Sequence, residues 1–222
     1  MDATIAEPEA ATAGNLMEAT DVWKSYRRGW ASRRSVTVLR GASIALGRGE
    51  VVGLVGENGS GKSTLLKILV GDLAADSGTL ARHSTFGYCP QTPVVYERLT
   101  CREHFALFGS SYGLSEGEIV VESERLYEEL DFQRFADVRV GELSGGTRSK
   151  LNLSLALLHR PELLFLDEPY AGFDWDTYQR FWSLAAERSA GGASVLIVSH
   201  FLADQERFDR IYDLADGRTA ER

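Results

Sequence analysis

The run Gly56-Glu57-Asn58-Gly59-Ser60-Gly61-Lys62-Ser63 carries the densest chemistry in the sequence. It fits G-x-x-x-x-G-K-[ST], a spacing suited to holding a polyphosphate. Glycines let the backbone turn tightly, so that successive N–H groups converge on phosphate oxygens. A helix opening at Lys62 brings its positive dipole end to the same oxygens. The Lys62 ammonium adds formal charge at the β- and γ-phosphates, and the Ser63 hydroxyl can ligate Mg²⁺.

Two apolar runs end in further reactive groups. Leu163–Leu166 leads into Asp167 and Glu168, and Val195–Val198 leads into Ser199 and His200. In a parallel sheet, ligands bind beyond the carboxyl ends of the strands. Asp167 there can hold Mg²⁺ through its water shell. Glu168, one residue further, is placed to orient or deprotonate an attacking water. His200 is placed to contact a γ-phosphate. Acids after a strand are often only solvated; the phosphate loop upstream gives these their weight. These residues together describe a P-loop nucleoside triphosphatase.

Such groups need a frame. Glu50–Val55 reads as a buried strand before the loop, and Lys62–Val70 as a helix after it. Leu16–Tyr26 and Val36–Leu46 read as strands joined by an extended hairpin loop, the basic island Arg27–Arg34. Thr100 with Glu103 and Ser115 with Glu118 make capping boxes. Each precedes an amphipathic run: Phe105, Phe108 and Tyr112, then Ile119, Ser123, Leu126, Tyr127 and Leu130. In Lys150–His159 the leucines alternate as in a strand. Without β-branched residues, however, the segment favours a helix buried on most sides, ending before Pro161. Asp174–Ser189 reads as a helix. Strand, helix, strand in this order implies parallel pairing. The expected fold is α/β: a P-loop core with a mostly parallel sheet, an N-terminal antiparallel β subdomain, and a helical subdomain inserted at about 96–158. Residues 16–222 are expected to form one domain, after a frayed tail over 1–15.

Composition narrows the class. The chain has 222 residues, 44% hydrophobic and 25% charged, with net charge −8. These values exclude a disordered chain, a collagen-like fibre and a disulfide-rich module. The acidic balance removes the electrostatic reason for binding nucleic acid. Cys89 and Cys101 lack metal-ligand spacing and read as packing thiols of a reduced, intracellular protein. Met1–Asn15 lacks the basic and apolar regions of a secretory signal. No apolar run approaches the ~18–20 residues needed to cross a bilayer.

One more segment narrows the reading. Leu143-Ser144-Gly145-Gly146-Thr147 resembles the signature motif of ATP-binding-cassette (ABC) ATPases. A serine and two glycines opening a helix make a second anion cradle. The resemblance implies head-to-tail pairing of two copies, in which Ser144 and Gly146 of one close on the nucleotide of the other. It extends over about Leu16 to Arg218. Gln91 resembles the family's Q-loop glutamine, which contacts Mg²⁺ and senses the transport partner. Ala171-Gly172-Phe173-Asp174 resembles the D-loop, His200 the switch histidine, and Tyr26 the aromatic that stacks on adenine. Thr64 follows Ser63 in the nucleotide-binding set. Thr147 departs from the family, which most often has glutamine there.

The resemblance implies ATP and Mg²⁺ as ligands, with Ser63, Gln91 and Asp167 toward the metal. Its implied partners are a second ATPase subunit, expected to be an identical copy, and a separate integral-membrane permease. Catalysis would rest on Glu168, His200 and Lys62. The protein would lie in the cytoplasm, on the inner face of the membrane through that permease. Tyr88-Cys89-Pro90-Gln91 and Leu99-Thr100 with Glu103-His104 resemble export-type subunits more than importers. A non-transport ABC regulator of a soluble partner remains the alternative; a P-loop kinase would leave Ser144 unexplained.

Overall fold

The computed structural model describes residues 15–27, 35–200 and 205–222. Strands β1 (Asn15–Arg27) and β2 (Ser35–Gly47) pair antiparallel from Asn15↔Gly47 to Arg27↔Ser35. Asn15, read as the end of the tail, is the first residue of β1. The hairpin loop expected between these strands lies, beyond Arg27, outside the described residues. β3 (Val51–Val55) is buried at every position, as its continuous apolar run requires. It leads through the glycine loop into α1 (Lys62–Val70), within the bounds that the sequence indicates.

β4 (Ser77–Arg82) then adds to the free side of β1, giving a three-stranded sheet in the order β2-β1-β4. β5 (Phe86–Cys89) precedes the helices α2 (Cys101–Ser111) and α3 (Glu116–Glu129). Both expected capping boxes form, Thr100 with Glu103 and Ser115 with Glu118. α4 (Gly145–Leu157) buries every residue from Leu151 to Leu157. The leucine alternation there therefore reflects burial around the whole helix, not a strand. β6 (Leu163–Asp167), α5 (Trp175–Ala190), β7 (Ser194–Ser199), β8 (Arg210–Ala215) and β9 (Arg218–Glu221) complete the chain. The second sheet has the order β5-β6-β7-β3-β8-β9, parallel except for the β8–β9 hairpin.

Two apolar clusters flank this sheet. On one side Leu65, Leu66 and Leu69 of α1 pack with Val52, Leu54 and Leu196 and with Met17, Leu39 and Ile44 of the antiparallel sheet. On the other, Leu151, Leu153 and Leu155 of α4 and Phe181 and Leu184 of α5 pack with Phe105, Leu126 and Tyr127 of α2 and α3. Each fully buried leucine or phenylalanine contributes about 1.5–3 kcal/mol. The phosphate loop is thus anchored on one core, and the helix behind Ser144 on the other.

Candidate functional site

Register brings the site together. Val55 of β3 pairs with Ser199 of β7, and Asp167 of β6 pairs with Val198 of the same strand. Three parallel strands therefore end level with one another. β7 lies between the other two, so Asp167 reaches the phosphate loop from one strand away.

The loop itself is shaped for an anion. Gly61 occupies the N-cap of α1 at φ 111°, a region that disfavours residues with a side chain. No side chain caps this helix, so its first N–H groups keep their capacity for a ligand. Ser60 Oγ is buried with no hydrogen-bond partner among the described residues. Glu57, Asn58 and Gly59 form the exposed rim. Lys62 folds back into the loop, where Nζ donates to Gly56 O at 2.7 Å and Glu57 O at 2.9 Å. Burial lowers its pKa, and the negative charges of Glu168 and Asp167 partly oppose that.

Asp167 is nearly enclosed. Burial, then repulsion from Glu168, raises its pKa from 3.8 to about 6, against the pull of Lys62 and Lys67. Glu168 follows in the left-handed region at φ 48°, and its N–H donates to Val198 O at 2.9 Å. A non-glycine residue held there stores strain, a feature that concentrates at functional sites. Its carboxylate sits between two partners. Gln91 Nε2 donates to Oε2 at 3.0 Å, and His200 Nδ1 lies 2.8 Å from Oε1. A carboxylate only accepts, so Nδ1 carries the hydrogen. The family resemblance implies a metal contact for Gln91, and the strand before His200 suggests a phosphate contact for it; the structure joins both to Glu168. The strained turn that puts Glu168 between them has no sequence signal.

Tyr26 stands over the start of α1, half exposed, with its hydroxyl 3.3 Å from Thr64 Oγ1. Ser63 is exposed on the same helix turn. Ser63 Oγ, the Asp167 carboxylate and the Gln91 amide oxygen are hard oxygen donors of the kind Mg²⁺ prefers. Asp167, buried and beside the like charge of Glu168, fits such a cation.

The residues Leu143 to Thr147 gather elsewhere. Leu143 is buried. Ser144 is the N-cap of α4, its Oγ accepting from Thr147 N at 3.2 Å and lying 2.9 Å from Thr147 Oγ1. Thr147 is itself buried, so the residue that departs from the family pattern serves its own helix. Gly145 has open space above it, while a Cβ on Gly146 would sit 2.6 Å from Gly172 O. Gly146 thus meets a packing demand the sequence does not disclose: the turn that opens α4 rests against the loop at Gly172. Asp174 caps α5, its carboxylate accepting from Thr177 N at 2.8 Å.

Asn152 is also missed by reading the motifs. Buried on α4, it donates to Cys89 Sγ and Pro90 O beside Gln91. Its signal in the sequence is a lone amide between Leu151 and Leu153.

Phosphate loop, sheet order and level strand ends define a P-loop nucleotide-binding fold. Residues 39–171 match the family described as ABC transporter, and the chain belongs to that family. It is 36% identical over 194 residues to the Nod factor export ATP-binding protein I of Burkholderia lata, covering 82% of this chain and 64% of the relative. It therefore spans just under two thirds of that relative's length. A solved ATP-binding subunit of an ABC transporter superimposes with TM-score 0.83 at 31% identity, covering 93% of this chain and 89% of the other. A bacterial ABC transporter cassette solved as a dimer shares the fold, with TM-score 0.84 at 23% identity, covering 93% of this chain and 98% of the other. Among the described residues, no helix is long and apolar enough to cross a membrane.

Proposed function

We propose that this chain binds and hydrolyses ATP as the ATP-binding subunit of an ABC transporter, acting with a separate integral-membrane permease. The observation that carries the reading is the meeting of the phosphate loop, Asp167, Glu168, Gln91 and His200 at one sheet edge. Residues Gly56 to Thr64 take the triphosphate, and Tyr26 stacks on the adenine. Lys62 exchanges the neutral carbonyls of Gly56 and Glu57 for charged β- and γ-phosphate oxygens, a stronger pairing. Glu168 orients the attacking water and takes its proton, while Gln91 holds the carboxylate in place. The His200 N–H that pairs with Glu168 in the free chain turns to the γ-phosphate. Ser63, Gln91 and Asp167 would hold Mg²⁺, which would supply positive charge against the phosphate oxygens.

A second copy of the chain completes each site. Its Ser144 and Gly146 approach the γ-phosphate from the opposite side, with the Asp174 loop at the same edge. Hydrolysis removes the contact that both copies share, and the pair reopens. The permease follows that motion from the membrane, where the ATPase sits peripherally on the inner face. The relative named for Nod factor export supports export as the direction. Residues 16–222 act as one domain, with the helical part over about 96–158.

The test is Glu168→Gln. General-base removal should cut turnover by roughly a hundredfold or more. Equilibrium ATP binding should persist, and an ATP-dependent dimer should accumulate in size-exclusion chromatography. Hydrolysis at the wild-type rate would remove Glu168 from this role.

A further inference from the structure

A buried amide in the middle of an apolar helix needs an explanation. Asparagine is a poor interior helix former, and burying its amide is unfavourable unless every strong donor finds an acceptor. Asn152 is 6% exposed. Its Nδ2 donates to Pro90 O at 2.8 Å and to Cys89 Sγ at 3.1 Å. The two acceptors end β5 and open the loop whose next residue, Gln91, donates to Glu168 at 3.0 Å.

The helix and the strand are also locked by their backbones. A Cβ on Gly87 would sit 1.9 Å from Ala156 O, so β5 meets α4 at closest approach one turn beyond Asn152. Pro90 has no N–H to pair with a neighbouring strand, which leaves its carbonyl as the handle by which the loop is held. On α4, Asn152 lies about 12 Å along the axis from Ser144, at the rise of an α-helix.

We propose that Asn152 is a positioning residue: by holding the Pro90 carbonyl against α4 it sets where Gln91 meets Glu168. It acts through Gln91, the residue after the carbonyl it holds. One helix thereby carries Ser144 at its start and the support of the neighbouring Gln91 loop at its middle. The proposal rests on the ATP-hydrolysing reading for its kinetic arm alone.

Asn152→Leu fills the same space without donors, and Asn152→Ala removes donors and bulk together. Each is compared with the wild type, with Gln91→Ala, and with the corresponding double variant, in the full chain. Hydrogen–deuterium exchange should rise in the segment after Pro90 in both single variants, with β3 and α1 unchanged. Turnover should fall about fivefold to tenfold, the scale of one ordinary hydrogen bond, with the KM for ATP held within about twofold. In the Gln91→Ala background the same substitutions should cost almost nothing further. An equal loss with and without Gln91 would show a structural role only and overturn the proposal, as would unchanged exchange after Pro90 in both variants. A wild-type chain that hydrolyses no ATP would refute the proposed function, and the exchange measurement would still decide what Asn152 does.

Discussion

The glycine-rich turns that open α1 and α4 stand in opposite conditions. At α1 the N-cap is Gly61 in the left-handed region, and among the described residues no side chain caps the helix and Ser60 Oγ, buried, has no partner. At α4 the N-cap is Ser144, whose hydroxyl already serves Thr147 N and faces Thr147 Oγ1. The first turn keeps its donors for a ligand, while the second has satisfied one of its own. An anion arriving at α1 meets groups waiting for it. One arriving at α4 has open space over Gly145 but must share Ser144 with its helix. The same motif type therefore yields one helix start with uncommitted donors and one that caps itself.

The sharpest way to break this comparison is Ser144→Arg. If α4 serves the nucleotide of the second copy, hydrolysis should fall by roughly a hundredfold or more, on the scale of a lost transition-state donor. Nucleotide binding by the isolated chain, measured by titration, should stay at the wild-type level. A matching fall in that affinity would place Ser144 in its own chain's pocket.

Next in size is Asp167→Asn, read without nucleotide. Asp167 holds its proton more tightly folded than unfolded, with a pKa of about 6 against 3.8. The fold therefore binds the extra proton across that window, and stability falls as pH rises through it. Removing the charge should raise stability at pH 7 by about 2–3 kcal/mol, from the size of the shift. The gain should shrink at pH 5, where the native carboxyl is mostly protonated. Thermal unfolding at both values measures this; a constant gain would mean that charge is not its source.

The smallest effect belongs to the cap. Ser144→Ala should cost about 1 kcal/mol of stability, the ordinary worth of an N-cap hydroxyl. Denaturant unfolding resolves that, and an unchanged midpoint would show that α4 does not depend on the Ser144–Thr147 bonds.

The legible parts of the protein are those whose chemistry is local. The loop from Gly56 to Ser63 shows because glycine and lysine spacing is itself the binding device. The helices after Thr100 and Ser115 show because their capping partners lie three residues apart. β4 gives no such signal: Ser77-Gly78-Thr79 is exposed, and its pairing with β1 spans more than fifty residues of chain. β5 is four residues long and shows as a strand only through its neighbours β6 and α4. Gly146 is legible as part of a cradle, yet its contact with Gly172 is not, because that contact joins two loops distant in sequence.

By itself the sequence determined the reactive groups and the strands and helices that carry most of them. These follow from side-chain type, short-range spacing and apolar periodicity, all properties of neighbouring residues. Only the tertiary structure decided that β7 lies between the phosphate loop and Asp167, that Gln91 and His200 share the Glu168 carboxylate, and that Asn152 holds the chain beside Gln91. Those relations depend on strand order, on a strained turn and on close packing between distant segments, which no local pattern encodes.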